Sequence, residues 1–141
     1  MGIRTAHVEW TGDFRNGRGT IEPGSGAFSA DYCSGSIVGD EPGTNPTEIL
    51  AAALAGCLSS TLAGALARGG YSPKRILTDA RAHLENIEGV YSITRIELNT
   101  KGKVPDIDDS TFKQYAERIA KGCPVGKALA SVEIILNAEL L

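Results

Sequence analysis

Thr44-Asn45-Pro46-Thr47-Glu48-Ile49-Leu50-Ala51-Ala52-Ala53-Leu54-Ala55-Gly56-Cys57-Leu58, continuing to Arg68-Gly69-Gly70, is the stretch that decides the fold. Asn45 is an N-cap type, Pro46 suits the first helical position, and Glu48 stands at N3. Leu50, Leu54, Leu58, Leu62 and Leu66 recur at a spacing of four, and Arg68-Gly69-Gly70 supplies a basic last turn and a glycine stop. The pattern predicts a helix over 46–68, about 34 Å long at ~1.5 Å per residue. Residues 50, 54, 57 and 61 share one face, so Cys57 falls within the leucine stripe. Ala51, Ala52, Ala53, Ala55, Gly56, Ala63 and Gly64 cover most of the remainder. A helix that is apolar or small nearly all round is buried on most sides. One layer of a 141-residue chain struggles to bury it; a dimer surrounding it would do so more easily.

Outward from the helix, the pattern is mostly strand-like. Residues 5–10 alternate loosely, and Asn16-Gly17 in the following polar turn is a strong hairpin signal. Thr20-Ile21 and Ala27–Ala30 predict further short strands around Pro23-Gly24-Ser25-Gly26, and one more is expected near Ser36–Val38. Beyond the helix, 75–86 and 90–101 alternate with β-branched residues and predict a hairpin closed near Glu88-Gly89. Val104-Pro105-Asp106 predicts a turn. Asp109-Ser110 caps a second helix over 111–121, with Phe112, Tyr115, Ala116 and Ile119 on one face. Gly122 stops it, Pro124 opens a short helical turn reaching Ala130, and 132–140 form a last strand. Strands, long helix, hairpin, helix and strand make an α+β order, with antiparallel sheet wrapping helices. One domain spanning 1–141 is expected.

Composition narrows the function. Hydrophobic residues make up 42% and charged residues 22%, enough for a core. Net charge is −3 without a Lys/Arg cluster, which argues against a nucleic-acid partner. Met1-Gly2-Ile3-Arg4 leads straight into a strand-like segment, so no signal peptide is expected. The apolar run from Ile49 to Ala67 approaches membrane-spanning length. Ser59, Ser60, Thr61 and the many alanines keep its hydrophobicity low, and a buried helix, not a membrane span, is the expectation. Three cysteines and no leader point to the cytoplasm, where thiols stay reduced and a disulfide is usually transient and catalytic.

Two of those cysteines stand in unusual settings. Cys57 lies in an apolar helix, where a thiol is normally an inert small hydrophobe. Cys123 follows a helix stop in Lys121-Gly122-Cys123-Pro124, either as a structural residue before proline or as a thiol placed to meet Cys57. Cys33 has no partner motif and reads as structural or incidental, and His83 as a surface or core histidine. No zinc spacing is present, and the glycines at 12, 17 and 19 match no nucleotide fingerprint.

These segments resemble the OsmC/Ohr family, named for the osmotically inducible protein C and the organic hydroperoxide resistance protein. Asn45 through Cys57 is similar to that family's peroxidatic-cysteine helix. Ala120-Lys121-Gly122-Cys123-Pro124-Val125 is similar to its resolving-cysteine motif. Trp10-Thr11-Gly12-Asp13 through Gly17-Arg18-Gly19-Thr20, and Val104 to Asp108, resemble the osmotically inducible branch. The resemblance covers nearly the whole chain in order. It implies an intertwined homodimer, with antiparallel sheets wrapped around two long central helices and sites built from both chains.

The activity implied is a thiol peroxidase of the oxidative-stress response, acting on organic hydroperoxides. Cys57 would attack the peroxide as thiolate and become a sulfenic acid, and Cys123 would resolve it as a redox-active disulfide. A dithiol reductant would recycle the pair, with no metal or cofactor needed. The family sets an arginine, held by a glutamate, beside the attacking sulfur. Ten positions before Cys57 this chain has Thr47; Glu48 is one step on, about 100° round the helix. No arginine lies between Arg18 and Arg68. Arg15 is the first candidate for the activating cation, Arg18 the second, and Glu48 the candidate to orient it. The alternative is a non-enzymatic dimer binding an apolar small molecule, one that has lost its activating arginine.

Overall fold

The computed structural model describes residues 2–141; the first residue of the Met1-Gly2-Ile3-Arg4 opening lies outside them. The chain forms two compact units, Met1–Ile49 and Leu50–Leu141. The first holds β1 (Ala6–Thr11), β2 (Arg18–Pro23), β3 (Ala30–Tyr32), the short helix α1 (Ser34–Val38) and the first turn of α2 (Pro46–Arg68). The second holds the rest of α2, then β4 (Arg75–Ile87), β5 (Val90–Lys103), α3 (Asp109–Gly122), α4 (Pro124–Ala128) and β6 (Glu133–Leu140). The described residues therefore form a mixed α+β protein with two three-stranded sheets and one long helix.

In the first unit β1, β2 and β3 pair antiparallel in chain order. The connection between β1 and β2 runs from Gly12 to Gly17, longer than the tight turn that Asn16-Gly17 predicts. Asp13 organises it. Its carboxylate accepts the Asn16 backbone N–H at 2.8 Å, and its carbonyl accepts that of Gly17 at 2.8 Å. Gly12 adopts the left-handed φ of +93° that the loop requires, so the turn chemistry sits earlier than the dipeptide suggests. The strand expected near Ser36–Val38 is instead α1. Ser36 Oγ accepts the Cys33 N–H at 2.9 Å, giving the backbone a local partner that a ladder would otherwise supply. Ser36 Oγ also donates to the Thr44 carbonyl at 2.8 Å, so the hydroxyl ties α1 to the approach of α2.

Helix α2 covers the span read from sequence. The Asn45 side chain accepts the Glu48 N–H at 2.8 Å, as an N-cap should. Leu54, Leu58, Leu62 and Leu66 are fully buried, while Ala52, Ala53, Gly56, Ser60 and Ala67 are exposed. The leucine stripe joins a core completed by Ile96 and Leu98 of β5 and by Phe112, Ala116, Ile119 and Ala120 of α3. By length and composition α2 could cross a bilayer, but Leu54, Leu58, Leu62 and Leu66 are buried in this core.

The second sheet corrects one expectation. β4 and β5 form the antiparallel hairpin, closed at Glu88 (φ +51°) and Gly89 (φ +86°), but β6 pairs parallel to β5. The reason is the connection. α3 and α4 carry the chain back to the end where β5 began, and a crossover of that kind places like-directed strands side by side. Asp108, not Asp109, is the N-cap of α3, accepting the Thr111 N–H at 2.7 Å. Gly102 of β5 lies under the Phe112 ring: a Cβ there would sit 2.6 Å from two ring carbons.

Candidate functional site

Cys57 projects from α2 beside the buried leucines and is half-buried against the core. Its sulfur is 4.0 Å from the Thr61 hydroxyl one turn on. The helix is held against the sheet next to it by a chain of hydroxyls. Ser59 Oγ lies 2.8 Å from the Ala55 carbonyl and 2.8 Å from Thr78 of β4, and Thr78 lies 2.9 Å from Thr100 of β5.

Cys123 is delivered by the break between α3 and α4. A residue before proline is pushed toward extended backbone, and Cys123 takes φ −71° and ψ 157°. It thus ends one helix and caps the next. Its N–H donates to the Ile119 carbonyl at 2.9 Å, and its sulfur accepts the Gly126 N–H at 3.4 Å. The side chain is fully buried. Burial pushes the Cys123 thiol up from its ordinary range; the Gly126 amide opposes that rise, and the neighbouring Cys57 thiol adds to it. The two sulfurs that stand 66 positions apart in sequence are neighbours in the fold, and both are free thiols.

Arg15, Arg18 and Glu48 belong to the first unit. Arg15 is exposed in the β1–β2 loop, where its carbonyl accepts the Ser34 hydroxyl at 3.2 Å. Arg18 opens β2, exposed, on a shallow depression with Glu9, Thr11, Thr20 and Asp31. The Glu48 carboxylate accepts the Thr44 hydroxyl at 3.1 Å. Within this unit, among the described residues, no ion pair joins Glu48 to either arginine. Cys33 is buried and directs its thiol to the Glu41 carboxylate at 3.3 Å. His83 lies 3.0 Å from Glu97 on the neighbouring strand; that bond is the leading cause holding the Glu97 carboxyl below its usual range.

Sequence reasoning missed Gly126 and the Ser59–Thr78–Thr100 chain. Gly126 left a faint signal, a glycine at N3 of a helix opened by Cys-Pro. The hydroxyls left none, because only the strand register brings Thr78 opposite Thr100.

Residues 39–137 match the family described as OsmC-like protein. The chain is 35% identical to peroxiredoxin OsmC of Escherichia coli (strain K12) over 138 residues, which cover 97% of this chain and 96% of that protein. The OsmC-like protein from Mycoplasma pneumoniae superposes with a TM-score of 0.77 at 15% identity, covering 99% of this chain and 98% of the other. The organic hydroperoxide resistance protein OhrB of Bacillus subtilis gives 0.71 at 22%, covering 97% and 98%. At such identities the two structures speak for the fold alone.

Proposed function

Since the chain belongs to the OsmC-like protein family, we propose that it is a thiol peroxidase reducing organic hydroperoxides, with Cys57 as peroxidatic and Cys123 as resolving cysteine. The observation that carries this reading is the meeting of a partly buried thiol with a fully buried one across α2 and the α3–α4 break. The Cys57 thiolate takes the distal peroxide oxygen, and the alcohol leaves after gaining a proton. Cys123 then displaces water from the sulfenic acid to form the disulfide, and a cytoplasmic dithiol returns both cysteines to thiols. The apolar surroundings of Cys57 favour alkyl hydroperoxides over hydrogen peroxide, since each buried CH₂ contributes about 0.8 kcal/mol. Arg15 is the cation assigned to Cys57, with Arg18 second and Glu48 as its orienting carboxylate. The protein acts as a homodimer, a reading supported by the exposed small-residue face of α2.

The test is consumption of cumene hydroperoxide with dithiothreitol by wild type, Cys57→Ser, Cys123→Ser and Arg15→Ala. Cys57→Ser should lose all turnover, and Cys123→Ser should accumulate a sulfenic acid that dimedone traps on Cys57. Arg15→Ala should lose turnover by about a hundredfold, the scale of one preorganised electrostatic contact. Equal turnover by wild type and Cys57→Ser would refute the reading.

A further inference from the structure

We infer that the reductant attacks the sulfur of Cys57, and that the backbone N–H of Gly126 receives the departing Cys123 thiolate, which makes Gly126 a positioning residue for recycling. The inference rests on the Cys57–Cys123 disulfide of the proposed cycle. A thiolate opens a disulfide by approaching one sulfur from behind, along the bond it breaks. Access and the stability of the leaving thiolate decide which sulfur that is. Cys123 is fully buried, with its sulfur at the start of α4. Cys57 retains exposed surface in the single chain. An external thiol therefore reaches Cys57 first, and Cys123 must be the leaving group.

Burial makes that departure unfavourable, because an apolar setting disfavours the thiolate. The group that counters it is Gly126. Its N–H already points at the Cys123 sulfur from 3.4 Å, and hydrogen bonds to a charged acceptor are the stronger kind. Only glycine permits this approach. A Cβ at 126 would run into the Ala120 carbonyl oxygen and stand 3.3 Å from the sulfur itself.

The exchange balances as follows. The incoming thiolate bonds to Cys57 Sγ, the S–S bond breaks, and Cys123 keeps the electron pair while accepting the Gly126 hydrogen bond. The reductant's second thiol then displaces Cys57 as thiolate and closes the reductant's own disulfide. Two electrons pass to the protein, and the two thiol protons of the dithiol end on Cys57 and Cys123.

The experiment forms the disulfide with diamide, which needs no peroxide. 2-Mercaptoethanol then opens it briefly, N-ethylmaleimide blocks the freed thiol, and peptide mass spectrometry locates both labels. Mercaptoethanol is expected on Cys57 and maleimide on Cys123, by about tenfold or more. The reverse pattern, an even split, or failure of diamide to join the two cysteines would overturn the inference. A positive map from a protein that consumes no hydroperoxide would sink the peroxidase reading alone. Gly126→Ala should slow the opening roughly tenfold and move the label ratio toward parity. A folded Gly126→Ala with unchanged rate and ratio would remove Gly126 from the mechanism. In wild type, the Gly126 amide proton resonance should shift between the disulfide and dithiol forms; an unmoved resonance tells against it equally.

Discussion

At Cys123 burial and a backbone amide pull one sulfur in opposite directions, and burial prevails. In the proposed cycle, the resolving step should therefore be held back at neutral pH. Only the thiolate attacks a sulfenic acid, so disulfide formation should quicken roughly tenfold per pH unit while the thiol remains below its pKa. Stopped-flow fluorescence after a single pulse of hydroperoxide, run from pH 6 to pH 9, measures that slope; a flat profile would mean that Cys123 is already ionised. The consequence for stability has the opposite sense. The folded thiol holds its proton to higher pH than the unfolded one, so its contribution is intact below the ordinary thiol pKa of about 8.5 and is lost as pH rises through the folded value. Urea denaturation at pH 7 and pH 10 should show a larger alkaline loss for wild type than for Cys123→Ser.

Elements explain why some of this could be read from the chain and some could not. Helix α2 announces itself because its signals are local: Asn45 caps, Pro46 opens, five leucines repeat, Gly69 stops. The β4–β5 hairpin is legible for the same reason, since Glu88-Gly89 meets the positive φ its turn demands. The direction of β6 was hidden, because nothing within Glu133–Leu140 records which neighbour it will meet or which way that neighbour runs. α1 was hidden by Ile37-Val38, whose β-propensity is overridden by the Ser36 hydroxyl. The two cysteine settings were visible as motifs, whereas Gly126 matters through a distance that no spacing encodes. Packing between elements carries its own test. Phe112, fully buried and seated on Gly102, ties α3 to β5. Phe112→Ala should cost about 3–5 kcal/mol by chemical denaturation. Gly102→Ala should also destabilise, from overpacking against the ring, and the Gly102→Ala, Phe112→Ala double variant should recover part of that loss.

For the whole molecule, the exposed stripe Ala52, Ala53, Gly56, Ser60 and Ala67 is the face for which a second copy is the proposed occupant. A Cβ at Gly56 meets nothing within 4 Å in the single chain. Gly56→Ala should therefore stabilise an isolated chain by about 1 kcal/mol, through helix propensity alone. In a dimer closed over that face the same methyl should weaken association, and Gly56→Arg should abolish it. Light scattering after size exclusion reads the mass, and a melting temperature that climbs with protein concentration reads the linkage. A monomeric wild type whose Gly56→Ala variant simply melts higher would reject the dimer.

The hydroxyl chain from Ala55 through Ser59 and Thr78 to Thr100 has one more effect. The buried leucines of this rod fix which side faces the core, but apolar contacts are non-directional. These three small polar groups add a directional stop, so the compass bearing of Cys57 is set by β4 and β5 together with the leucines beside it. Remove the stop and the rod should remain in place, yet its sulfur would wander off target.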